Sequence, residues 1–106
     1  MVSALTDKTF DEFIKEGISL IDFYADWCGP CKMMSPIIEE LSKEMTGIKF
    51  GKLNVDENKE TAMKYGVMSI PTFIIFKDGE YIDAIVGGMP KEVFKEILEN
   101  IKEKLK

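Results

Sequence analysis

At 106 residues, 45% of them hydrophobic and 31% charged, the chain suits one globular domain spanning residues 1–106, and no stretch is polar or repetitive enough to read as a linker or a disordered tail. Fourteen lysines, no arginine and nineteen acids give a net charge of -5, which disfavours a phosphate-binding surface and removes nucleic acid from the expected partners. The longest apolar runs are strand-sized, and "MVSALTDKTF" lacks the basic start and apolar run of a secretory leader, so the expectation is a soluble, cytoplasmic protein with no membrane partner.

In chain order, a short helix is predicted over about 7–16, with Phe10, Phe13 and Ile14 facing inward. "ISLIDFYA", 18–25, is a nearly continuous run of β-formers with apolar residues on both faces, which predicts a central strand covered on each side. "CKMMSPIIEELSKEM", 31–45, repeats Met34, Ile37, Ile38, Leu41 and Met45 at helical spacing before Gly47. Pro36 inside that helix predicts a kink near Met33, because its ring clashes with the carbonyl four residues earlier. "IKFGKLNV", 48–55, is the next strand, and a short helix over 58–65 ends at Gly66. "PTFIIFK", 71–77, and "EYIDAIV", 80–86, flank Asp78-Gly79, a strong hairpin signal. The closing helix, 90–106, carries Phe94, Leu98, Ile101 and Leu105 on one stripe, with Val93 and Ile97 beside it and Pro90 near its first position. The order is read as β, α, β, α, β, α, β, β, α, the leading strand having no residues assigned to it. Strands separated by helices imply parallel pairing and the hairpin adds antiparallel strands, so an α/β fold with a mixed sheet and helices on both faces is expected.

Both cysteines, Cys28 and Cys31, lie in "ADWCGPCKMM". As a structural staple so short a loop contributes only about 2 kcal/mol, and a structural zinc site lacks ligands in a chain with no histidine and no third cysteine. A redox dithiol has the better physical basis. The pair follows a central strand and opens a long helix, where unpaired amides and the positive end of the helix dipole favour thiolate over thiol at Cys28. Cys31, about one helical turn on, is placed to resolve a mixed disulfide. Pro30 stiffens the intervening turn at no cost in hydrogen bonding, and Gly29 leaves the approach to Cys28 clear.

Asp22 interrupts the first strand and shares a face with Leu20 and Tyr24. It reads as a satisfied polar group, as a strand residue at the wet end of the sheet, or as a desolvated carboxylate able to take the proton from Cys31, directly or through water. "SIPTF", 69–73, sets Pro71 at a strand entrance, where a trans bond is the commoner state and a cis bond would turn Ile70's polar backbone toward its neighbours.

"WCGPCK", with "DFYADW" before it, "KLNVDEN" in the middle, and "SIPTF" followed by a hairpin and "VGG", closely resembles the thioredoxin family over essentially the whole chain. The resemblance implies a thioredoxin fold: a central mixed five-stranded sheet flanked by four helices. It implies Cys28 as exposed nucleophile, Cys31 as buried resolving thiol, Asp22 as buried acid and Lys52 as the lysine that sets that acid's charge. It also implies a cis bond before Pro71, a substrate-docking surface of Trp27, Gly29, Pro30, Ile70 and Gly87 with Pro71, and a turn at Gly79. No cofactor is implied beyond the redox-active Cys28-Cys31 disulfide. The implied partners are disulfide-containing proteins and an electron donor resembling thioredoxin reductase, the chain acting as a monomer that maintains redox homeostasis. Two positions depart from the pattern: Tyr24 stands where tryptophan is frequent, and Gly88 follows Gly87 as in the glutathione-binding region of glutaredoxins. The leading expectation is therefore a general protein-disulfide reductase. A glutaredoxin-like or isomerase-like enzyme is one alternative, and a redox-independent binding module is another.

Overall fold

The computed structural model describes all 106 residues. Its elements are β1 (Val2–Ala4), α1 (Phe10–Ile14), β2 (Ile18–Tyr24), α2 (Gly29–Glu44), β3 (Ile48–Asn54), α3 (Lys59–Lys64), β4 (Thr72–Lys77), β5 (Glu80–Val86) and α4 (Lys91–Lys104). The strands form one sheet in the order β1-β3-β2-β4-β5. β3 is parallel to β1 and β2, whereas β4 runs antiparallel to both β2 and β5. This is the mixed sheet with four helices that the sequence predicts, and β2 is its central strand.

β2 is central because its side chains are apolar on both faces. Leu20 joins Phe50, Phe73, Ile75 and Ile85 under Met34, Ile38 and Leu41 of α2 and Phe94 and Leu98 of α4. Ile21 and Phe23 join Leu53, Ile74 and Phe76 on the other face, against Phe10 and Ile14 of α1. Burying each such side chain is worth about 1.5–3 kcal/mol, so the two layers clamp β2 from both sides. Gly51 in β3 lets α1 lie close, since a Cβ there would stand 2.8 Å from Leu5 Cδ1 and 3.1 Å from Phe13 Cε2.

The leading strand is Val2–Ala4, only three residues paired to Phe50–Lys52. α1 is shorter than its predicted 7–16, because Thr6 and Thr9 occupy the segment before it with hydroxyl and backbone hydrogen bonds of a turn. The hairpin turn at Asp78 and Gly79 is as expected, both at positive φ (49° and 86°). Two helix starts differ from expectation. Pro90 caps α4 rather than opening it, and α2 begins at Gly29, so the segment between the cysteines is already helical. Pro36 lies inside α2, which is assigned as one helix from Gly29 to Glu44.

Candidate active site

The C-terminal end of β2 delivers the chain to Cys28, the N-cap residue of α2. Pro30 occupies the second helical position, where no backbone donor is needed. The backbone then turns so that the Cys31 N–H donates to Cys28 Sγ at 3.2 Å. The two residues are joined as a disulfide with Cα atoms 5.2 Å apart. Ala25 packs with them, and Tyr24, Val55 and Ile70 close around the three.

The expected contrast between an exposed Cys28 and a buried Cys31 is not found. Each cysteine is 4% exposed. With the bridge closed, Cys28 is packed in the same small cluster as Cys31, and its Sγ accepts the Cys31 N–H.

Asp22 is on the α2 face of the sheet, as strand alternation requires, and is 5% exposed. Its Oδ1 finds no hydrogen-bonding partner within the protein, and its burial sets it apart from a strand residue at the wet end of the sheet. Burial raises its pKa from 3.8 to about 7, against the opposing pull of Lys52. Lys52 is in position because β2 and β3 are parallel in a register that sets Asp22 opposite Lys52 and Tyr24 opposite Asn54. Asp22 and Cys31 line one cavity of about 190 Å³ together with Tyr24, Ala25, Asp26, Lys32, Ser35 and Lys52. Such a space is roomy enough for water, and both Asp22 and Cys31 border it.

Two further loops reach the site. The Ile70–Pro71 peptide bond is cis, and the Pro71 carbonyl accepts a 2.9 Å hydrogen bond from the Gly87 N–H. Gly87 has φ +94°, a conformation that side chains other than glycine rarely adopt, so the pairing depends on residue type. Trp27 is 71% exposed, yet its indole Nε1 donates to Asp56 Oδ2 at 2.9 Å. The Asn54 side chain in turn accepts from the Asp56 N–H at 2.9 Å, tying Trp27 to the end of β3. Gly29 has open space where a Cβ would be.

Asp22, Lys52 and the cysteine pair thus lie toward the C-terminal ends of β2 and β3 and at the start of α2, with Trp27, Gly29 and Pro30 around the pair and Ile70, Pro71 and Gly87 in the loops before β4 and after β5. The sequence reading missed Asp56 as the anchor of Trp27, and it gave Asp26, Lys32 and Ser35 no part in the cavity. It also passed over Met33 and Met68, 74% and 97% exposed, two residues after Cys31 and two before Ile70. The usable signal was apolar side chains at loop and helix positions that no core could absorb.

A cysteine pair that can open to two thiols and close again, at a helix start on this sheet, is the working part of a thiol-disulfide oxidoreductase. Residues 1–100 match the sequence model described as thioredoxin. The chain is 53% identical over 96 residues to a thioredoxin of Staphylococcus saprophyticus, covering 90% of this chain and 92% of the relative. It is 53% identical over 94 residues to a thioredoxin of Bacillus subtilis, covering 88% and 90%. The chain belongs to the thioredoxin family, and its activity is that of a protein-disulfide reductase.

Proposed function

We propose that Cys28 attacks a disulfide in a protein substrate and that Cys31 resolves the resulting mixed disulfide, with Asp22 accepting the Cys31 proton. The observation that carries this assignment is the Cys31 N–H aimed at Cys28 Sγ at the start of α2. A donor at the positive end of the helix dipole favours negative charge on that sulfur, whereas Cys31 lies one turn inside the helix. Cys28 thiolate bonds to one substrate sulfur and the other leaves as a thiolate. Cys31 then gives its proton to the Asp22 carboxylate, directly or through water in the cavity, and bonds to Cys28 Sγ. The second substrate sulfur leaves, so one substrate disulfide is reduced and the Cys28–Cys31 dithiol is oxidised. With a pKa near 7, Asp22 holds and releases a proton under the conditions in which it is needed. Lys52, opposite it in register, biases it toward the carboxylate form.

Substrate docks over Trp27, Gly29, Pro30, Ile70, Pro71 and Gly87, the residues that frame the bridge. The closed form is recharged by an electron donor resembling thioredoxin reductase, and the disulfide serves as the redox group without a further cofactor. In this reading the chain is a single-domain monomer of the cytoplasm. No helix is long and apolar enough to cross a membrane.

The test is trapping. A Cys31→Ser variant incubated with a disulfide-bonded protein should accumulate a covalent complex through Cys28, and a Cys28→Ser variant should accumulate none. Complexes formed through Cys31 in the Cys28→Ser variant would reverse the assignment.

A further inference from the structure

We propose that Tyr24 is a positioning residue, its ring holding the Lys52 ammonium at the cavity that joins Asp22 to Cys31. The proposal rests on the reading of Asp22 as the proton acceptor, and it adds the part that keeps the neighbouring cation in place.

Lys52 is the cation opposite Asp22 in the register of β2 and β3, and Tyr24 is two residues further along the same face. Lys52 makes no ion pair within 4.0 Å, with Asp22 or with any other carboxylate. Its Nζ lies instead 5.9 Å from the centroid of the Tyr24 ring. A lysine head group on four rotatable bonds loses considerable freedom when it is held, and the face of a neutral aromatic ring is an attractive place for it. Tyr24 is itself held, packed against the Cys28–Cys31 cluster and lining the same cavity. Burial, then Asp26, Glu57 and Asp22, raise the pKa of its hydroxyl, so the ring remains a neutral phenol where the protein works. The ring therefore spans the distance between the disulfide and the cation.

The groups around Asp22 are Lys52 on β3, Tyr24 on β2, Asp26 just beyond it, and Cys31 and Lys32 on α2, while its β4 neighbour Phe73 carries no charge. Of the two cations, Lys52 is the one whose charge lowers the Asp22 pKa. If the ring were lost, Lys52 would extend into solvent, Asp22 would retain its proton to higher pH, and release of substrate from Cys28 would shift to higher pH with it.

The experiment follows the Asp22 side-chain carboxyl carbon by NMR through a pH titration of the full chain. Tyr24→Leu should move the midpoint upward from that of the parent protein, Tyr24→Phe should leave it in place, and Lys52→Met should move it upward. Tyr24→Leu added to Lys52→Met should give no further shift, since both changes remove the same contact. No shift with Tyr24→Leu, an equal shift with Tyr24→Phe, or an undiminished shift in the Lys52→Met background would each overturn the proposal. Independently of any variant's folding, the Lys52 Hε resonances of the parent protein should be displaced upfield by the ring current, and unperturbed values would overturn it as well. The role of Asp22 is read separately, from the pH profile of substrate release from the mixed disulfide. If the Asp22 midpoint moves as stated while that profile stays put, the placement of Lys52 stands and the proton-acceptor reading falls.

Discussion

β2 carries two polar side chains buried without a hydrogen-bonding partner, Ser19 and Asp22, and they face opposite sides of the sheet. Ser19 shares its face with Ile21 and Phe23, where Phe10 and Ile14 of α1 complete an apolar layer. Asp22 faces α2 beside a cavity of about 190 Å³ that also contains Cys31 and Lys52. Each costs stability, since a buried polar atom left unpaired is penalised by about 1–3 kcal/mol. Only one of them can exchange a proton with a reacting group. Burial is common to both; the role proposed for Asp22 rests on its being ionisable and on sharing a water-sized cavity with Cys31.

The largest expected effect comes from removing the Asp22 charge. Its folded-state pKa of about 7 exceeds the ordinary 3.8, so between those values the folded protein keeps a proton that the unfolded chain has released, and stability falls as pH rises. The full penalty is present above pH 7 and absent below about 3.8, and a gap of that size corresponds to up to about 4 kcal/mol. Asp22→Asn should therefore be more stable than the parent protein at pH 8 in denaturant unfolding, with the difference vanishing in acid. It should also release substrate from Cys28 more slowly. Equal unfolding midpoints at pH 8 would show that the carboxyl is hydrated and not buried.

Gly51→Ala tests how full the opposite face is. A Cβ 2.8 Å from Leu5 and 3.1 Å from Phe13 should cost about 1–3 kcal/mol by forcing those side chains aside, with no change in the pH dependence of reduction. A neutral result would mean that the α1 layer has slack.

The smallest effect expected is that of Ser19→Ala. Deleting a hydroxyl that has no partner should stabilise the protein by about 1 kcal/mol and leave disulfide reduction unaltered. A loss of activity on this change would break the contrast with Asp22.

Much of this contrast could be read before any coordinates. The face of Asp22 followed from strand alternation, the central position of β2 from its two apolar faces, and the place of the cysteine pair from the helix that begins after it. The bounds of β5 were read to the residue because Asp78-Gly79 marks its start. What the sequence withheld depends on register and on contacts between distant segments. Lys52 opposite Asp22 needs the alignment of β2 with β3, and the thioredoxin resemblance supplied that pairing where propensity could not. Asp56 under the Trp27 indole bridges 29 positions and left no local mark. The equal burial of Cys28 and Cys31 went unforeseen because it is a property of the closed bridge packed under Tyr24, Val55 and Ile70. β1 had an expected place in the order but no residues, since three residues on a sheet edge are too few for a periodic signal.

The central claim is that the start of α2 makes the Cys28 sulfur the readier anion of the pair. The most direct test is the pH dependence of alkylation of the reduced protein by iodoacetamide, with the modified residue identified by peptide mapping. Cys28 should be modified first, at a rate that reaches half its plateau at a lower pH than a cysteine in an unstructured peptide. Modification of Cys31 first, or a Cys28 profile that coincides with the peptide's, would contradict the account.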